Sequence, residues 1–105
     1  MKTITPQDLA ELRNNNTPHQ LIDVREQHEL AICSIGGQVI PMGEILTSPE
    51  LIEKDKQVII HCRSGQRAAS VIDALERHFG FDNLYNLEGG ILAYAEQVDN
   101  SLEIY

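Results

Sequence analysis

Within seven residues, Cys62-Arg63-Ser64-Gly65-Gln66-Arg67-Ala68 brings together a thiol, two guanidinium groups, a hydroxyl and a glycine. The run follows the apolar stretch Gln57-Val58-Ile59-Ile60-His61 and precedes Ala68, Val71, Ile72, Leu75 and Phe79, which recur at helical spacing. A cysteine between a strand and the first turn of a helix meets unpaired backbone N–H groups and the positive end of the helix dipole, and both favour thiolate over thiol. Arg63 and Arg67 add positive charge, and their planar forks suit an oxyanion or a carboxylate-like group. Gly65 lets the backbone curl so that its N–H groups point inward, and Ser64 offers a further donor. The loop therefore reads as an anion cradle around one sulfur atom, fitted to a thiolate nucleophile and to the outer sulfur of a persulfide. The bland reading is a buried structural cysteine beside two solvent-facing arginines. The ordered combination of strand, cysteine, glycine, arginines and helix favours chemistry instead.

The elements that would position this loop can be followed along the chain. Thr5-Pro6-Gln7-Asp8 predicts a helix start with Thr5 as N-cap, Pro6 in the first position and Asp8 completing a capping box, with Leu9 and Leu12 on the buried stripe. The Asn14 to Pro18 cluster ends that helix, and Gln20-Leu21-Ile22-Asp23-Val24 predicts a strand with Asp23 and Arg25 at its end. Residues 26–37 read as a loop, Gln38-Val39-Ile40-Pro41 as a short edge strand, and Ser48-Pro49-Glu50 as the start of a short helix to about Lys54. Gln57 to His61 is the strongest strand, apolar enough to be covered on both faces. After the Cys62 loop comes the helix ended by Gly80, then a strand over Asn83 to Leu87. Gly89-Gly90 then leads into a final helix from Ile91 to about Val98. Strands alternating with helices predict an α/β fold with a mainly parallel sheet, and ligands bind beyond the carboxyl ends of such strands. Cys62 lies at that end of the best strand.

Composition narrows the function classes. The 105 residues, 42% hydrophobic and without low-complexity runs, fit one domain over 1–105. Sixteen acidic residues against eight basic ones, a formal charge of −8, oppose attraction to nucleic acid or to an anionic membrane. With no apolar leader after Lys2 and no run near the roughly 18 apolar residues of a membrane span, the expected location is cytoplasmic. Two cysteines, Cys33 and Cys62, make no C-x-x-C pair, and His19, His28, His61 and His78 lack ligand-like spacing, so no metal and no cofactor are expected. Cys33 is either a resolving thiol for Cys62 or a packed side chain, and packing is the simpler reading because a bond requires the two Cα atoms within about 7 Å.

Three segments together resemble the rhodanese family across nearly the whole chain. They are Leu21-Ile22-Asp23-Val24-Arg25-Glu26, the strand and loop from Val58 to Ala68, and Asn86-Leu87-Glu88-Gly89-Gly90-Ile91-Leu92-Ala93-Tyr94. The resemblance implies a rhodanese-like sheet of about five strands with helices on both faces, and a sulfurtransferase of the thiosulfate:cyanide type. Cys62 would carry the persulfide, the backbone from Arg63 to Ala68 would form the cradle, and Asp23 and Arg25 would brace it, as a salt-bridged pair or as catalytic groups. Ala31 to Gly43 and Glu96 to Tyr105 are similar to the rhodanese domain that follows an adenylyltransferase domain in proteins activating sulfur carriers for molybdopterin or thiamin synthesis. Expected partners are therefore thiosulfate, a protein persulfide or a sulfur-carrier protein. Where many rhodanese domains have a histidine-containing G-H-I-x-G-A segment, this chain has Ser34-Ile35-Gly36-Gly37.

Two competitors stand beside this reading. A cysteine phosphatase or arsenate reductase uses C-x5-R, but here the sixth residue after Cys62 is Ala68 and the arginine comes one residue early at Arg67. A partner-docking module without chemistry would not need the cysteine with both arginines.

Overall fold

A computed structural model describes residues 1–105. Its five strands all run parallel, in the order β1-β5-β4-β2-β3: β1 (Lys2–Ile4), β2 (His19–Asp23), β3 (Gln38–Val39), β4 (Gln57–His61) and β5 (Leu84–Leu87). The helices between them are α1 (Pro6–Asn14), α2 (Gln27–Leu30), α3 (Met42–Ile45), α4 (Gln66–Phe79) and α5 (Gly90–Gln97), with a 3-10 turn at Pro49–Leu51. Parallel strands cannot be joined by hairpins, so the crossovers place helices on both faces.

Alternation along β4 divides the core in two. Val58, Ile60 and Cys62 point to one face, with Ile22 and Val24 of the β2 strand and its extension, against Val71, Ile72 and Leu75 of α4 and Ile45 of α3. Ile59 and Leu21 point to the other face, against Leu9 of α1 and Ile91 and Tyr94 of α5. β4 is central, paired to β2 from Gln57 to His61 and to β5 from Val58 to Ile60. Its residues 58–61 are fully buried, as the apolar run predicted.

Several expectations are corrected. Residues 26–37 are not all loop: α2 occupies Gln27–Leu30, opened where the backbone N–H of Glu26 donates to the Glu29 carboxylate at 3.0 Å. The short strand β1 and the single turn of α3 were not read. The helix expected from Ser48 to Lys54 is only the turn Pro49–Leu51, and the Ser48 side chain does not cap it. Thr5 caps α1 by accepting from the Asp8 N–H at 3.1 Å, but the reciprocal bond of a capping box is not made. Phe79 is 45% exposed, because α4 reaches its end there and Gly80 turns the chain away from the core.

Candidate functional site

Cys62 continues β4 beyond its carboxyl end, and the chain then turns back into α4. Gly65 makes the turn with φ of 109°, a conformation that side chains with a Cβ rarely adopt. The Gly65 N–H thereby faces back and donates to Cys62 Sγ at 3.1 Å, and the Ala68 N–H in the first turn of α4 donates at 3.4 Å. These donors belong to the helix end, where backbone N–H groups have no partner within the helix and are free to point at the sulfur. Cys62 is 1% exposed.

The outer supports of the loop come from β5 and α5. Asn86 Nδ2 donates to the Gly65 carbonyl at 3.1 Å and so holds the turn from the neighbouring strand. The N–H groups of Ile91 and Leu92 donate to the carbonyls of Cys62 and Arg63 at 3.0 and 3.1 Å. Gly90 makes this clamp possible: a methyl group there would overlap the Arg63 carbonyl and lie 2.7 Å from Ser64 N.

Of the residues expected to form the cradle, Gly65 and Ala68 reach the sulfur with their backbone amides. Ser64 and Gln66 are exposed, and the Ser64 hydroxyl makes no hydrogen bond within the chain. The two arginines are engaged elsewhere. Arg67 grips Glu29 through both terminal nitrogens, at 2.6 and 2.7 Å. Arg63 donates from Nε (2.7 Å) and from Nη2 to the main-chain oxygen of Tyr105. Each arginine flanks the loop while bound to an acceptor of the chain itself.

Asp23 and Arg25 lie near the same end of the sheet as a buried pair, 1% and 0% exposed. Arg25 donates from Nε and Nη2 to the Asp23 carboxylate at 2.8 to 3.1 Å, and onward to the Cys33 carbonyl at 2.8 Å and the Tyr105 hydroxyl at 3.0 Å. Burial opposes the Arg25 charge, but bonding to Asp23 and Tyr105 outweighs it and its net shift is upward. The pair thus ties β2 to the segment after α2 and, through the Tyr105 hydroxyl, which donates to Glu29 at 2.8 Å, to the partner of Arg67. Hydrogen bonding from Arg67, working against burial, draws the Glu29 carboxyl down to about 2.

His61 points to the face opposite Cys62, its Nε2 3.5 Å from Asp23 Oδ2 and without a hydrogen bond. Burial pushes its pKa downward against the pull of Asp23. Cys33 is half-buried and packs into the α1 and α5 side of the core, so the two thiols sit in different layers. No three His, Cys, Asp or Glu side chains converge as a metal site would require.

Glu29, Asn86 and Tyr105 were not singled out from the sequence. The Glu26 to Glu29 spacing, an acidic residue three positions after a helix start, was the available signal for the first. The other two have no local signal.

An all-parallel α/β sheet with a cysteine in a short amide-lined loop at the end of its central strand defines the class of protein. The comparisons say which kind. The rhodanese-like domain family model matches residues 5–97, and the chain belongs to the rhodanese family. It is 38% identical to the putative sulfurtransferase YtwF of Bacillus subtilis (strain 168), with 90% of each chain covered. It is 33% identical to the probable adenylyltransferase/sulfurtransferase MoeZ of Mycobacterium tuberculosis, over 98% of this chain but 27% of that protein. The chain thus spans about a quarter of the length of that longer relative. Among solved structures, a rhodanese-like domain protein from Staphylococcus aureus superposes with a TM-score of 0.81 at 32% identity, covering 100% of this chain and 99% of that one. Sulfur transfer is therefore supported at the level of the family.

Proposed function

We propose that the chain is one rhodanese unit that carries sulfur as a persulfide on Cys62, taking it from thiosulfate or a thiol persulfide and handing it to a nucleophilic acceptor. In the first half-reaction the Cys62 thiolate attacks the outer sulfur of the donor. A bond forms between Sγ and that sulfur, the donor's own sulfur–sulfur bond breaks, and sulfite or a thiolate leaves with the electron pair. In the second, the acceptor attacks the outer sulfur and Cys62 departs as thiolate. Asp23 and Arg25 brace the loop in this scheme without touching the donor. The acceptor in this scheme is a nucleophile such as a thiol, which leaves as a new persulfide, or cyanide, which leaves as thiocyanate.

The observation that carries the reading is the pair of backbone N–H groups aimed at Cys62 Sγ, at 3.1 and 3.4 Å, in a loop one residue shorter than C-x5-R. Such a loop suits one added sulfur better than a tetrahedral phosphate. Intact mass spectrometry after donor treatment should show a gain of one sulfur atom, reversed by cyanide and absent in Cys62→Ser. If neither thiosulfate nor a small persulfide adds sulfur, the proposal is wrong.

A further inference from the structure

The Arg63 guanidinium follows the nucleophile directly, yet its Nε and Nη2, the edge that would grip two oxygens of a sulfonate, both donate to the main-chain oxygen of Tyr105. Tyr105 is itself held firmly. Its hydroxyl accepts from Arg25 at 3.0 Å and donates to Glu29 at 2.8 Å, and its ring lies 5.1 Å from the Arg63 guanidinium carbon. The other guanidinium beside the loop, Arg67, is neutralised by Glu29. The remaining cation of this cluster, Arg25, is buried on Asp23.

Donor chemistry makes this arrangement selective. Thiosulfate brings two negative charges and must leave as sulfite, so its transition state gathers charge on oxygens outside the sulfur cradle. A thiol persulfide leaves as a thiolate and asks for no such cation.

Resting on the sulfur-transfer reading above, we propose that Tyr105 is a donor-specificity residue: by occupying the Arg63 fork it disfavours loading from thiosulfate and leaves thiol persulfides as the preferred donors. Tyr105 acts through Arg63 and touches no donor atom.

The test compares initial rates of sulfur addition to Cys62, read by intact mass, from thiosulfate and from glutathione persulfide. Releasing one charged donor for a dianion is worth on the order of tenfold. Tyr105→Ala keeps the main-chain oxygen but removes the hydroxyl bonds and the ring that hold it on the Arg63 fork, so the thiosulfate-to-persulfide rate ratio should rise by up to about tenfold in that variant. In Tyr105→Phe, which keeps the ring over Arg63 and loses the bonds to Arg25 and Glu29, the rise should be smaller. In the double variant Tyr105→Ala with Arg63→Ala the ratio should fall back to the wild-type value. Loosening of the structure alone would not depend on Arg63 in this way. An unchanged or lower ratio in Tyr105→Ala, or a rise that survives loss of Arg63, overturns the specificity role and leaves sulfur transfer standing. Absence of loading from either donor in the wild-type protein overturns both.

Discussion

Asn86 never meets the sulfur, yet its side-chain amide fixes the residue that does. With Nδ2 on the Gly65 carbonyl at 3.1 Å, Gly65 keeps the orientation in which its own N–H faces Cys62 Sγ. The Asn86 Oδ1 is buried without a partner, so the side chain is retained at some cost, since an unmet buried acceptor is unfavourable by about 1 kcal/mol or more. Asn86→Asp keeps the shape and sets an acceptor against the Gly65 carbonyl. Alkylation of Cys62 by iodoacetamide at neutral pH should then slow on the order of tenfold, and sulfur loading should slow with it. Wild-type rates in that variant would show that Gly65 holds its turn unaided. The placement of Cys62 and its loop was legible in the sequence because their signal is local: strand, cysteine, glycine, helix. Their supports were not. Asn86 reaches back 21 residues to Gly65, Arg67 reaches 38 to Glu29 and Arg63 reaches 42 to Tyr105. No periodicity or spacing links residues brought together only by the sheet.

At the scale of elements, α5 is as much part of the site as α4. Its first amides clamp the Cys62 and Arg63 carbonyls, and the clamp needs the space that Gly90, at φ of 62°, leaves open. In Gly90→Ala the methyl group meets main-chain atoms of Arg63 and Ser64, which cannot swing aside as a flexible side chain would. The positive φ and the overlap together should cost at least about 2 kcal/mol of stability. A urea titration measures that loss, and sulfur loading should fall further than the stability loss explains, because the displaced peptide is the one that leads into the cradle. Loading in proportion to the folded fraction would mean that the clamp serves stability alone. β4 and α4 were readable because each satisfies its own pattern over five and fourteen residues. β1, α2 and α3, at three or four residues each, lie below the length at which local propensity decides anything, and they exist because the sheet edge or the core holds them.

Across the whole molecule, the charges buried around the end of the sheet should write themselves into the pH dependence of stability in two separate windows. His61 is 0% exposed at the end of β4, and burial drives its pKa below the ordinary 6.5, with Asp23 opposing and Arg25 and Arg13 assisting. The unfolded chain takes up a proton there that the folded chain resists, so this contribution is present above about pH 6.5 and is lost as pH falls below it. Glu29 behaves at lower pH. Its folded value of about 2 lies beneath the ordinary 4.5, so the Glu29–Arg67 contribution is whole above about pH 4.5 and disappears as pH falls toward 2. Urea midpoints should therefore drop between pH 7 and 5, and again below pH 4.5. His61→Gln should flatten the first drop and leave the second. Glu29→Gln should flatten the second while lowering stability at neutral pH by about 1 to 2 kcal/mol, a modest loss because Arg67, 34% exposed, can turn to water. A wild-type midpoint constant from pH 7 to 5 would mean that His61 accepts its proton inside the fold, with Asp23 as counter-ion. In that case the Asp23, Arg25 and His61 group is an ion network in its own right, and the bracing of the Cys62 loop would itself vary with pH.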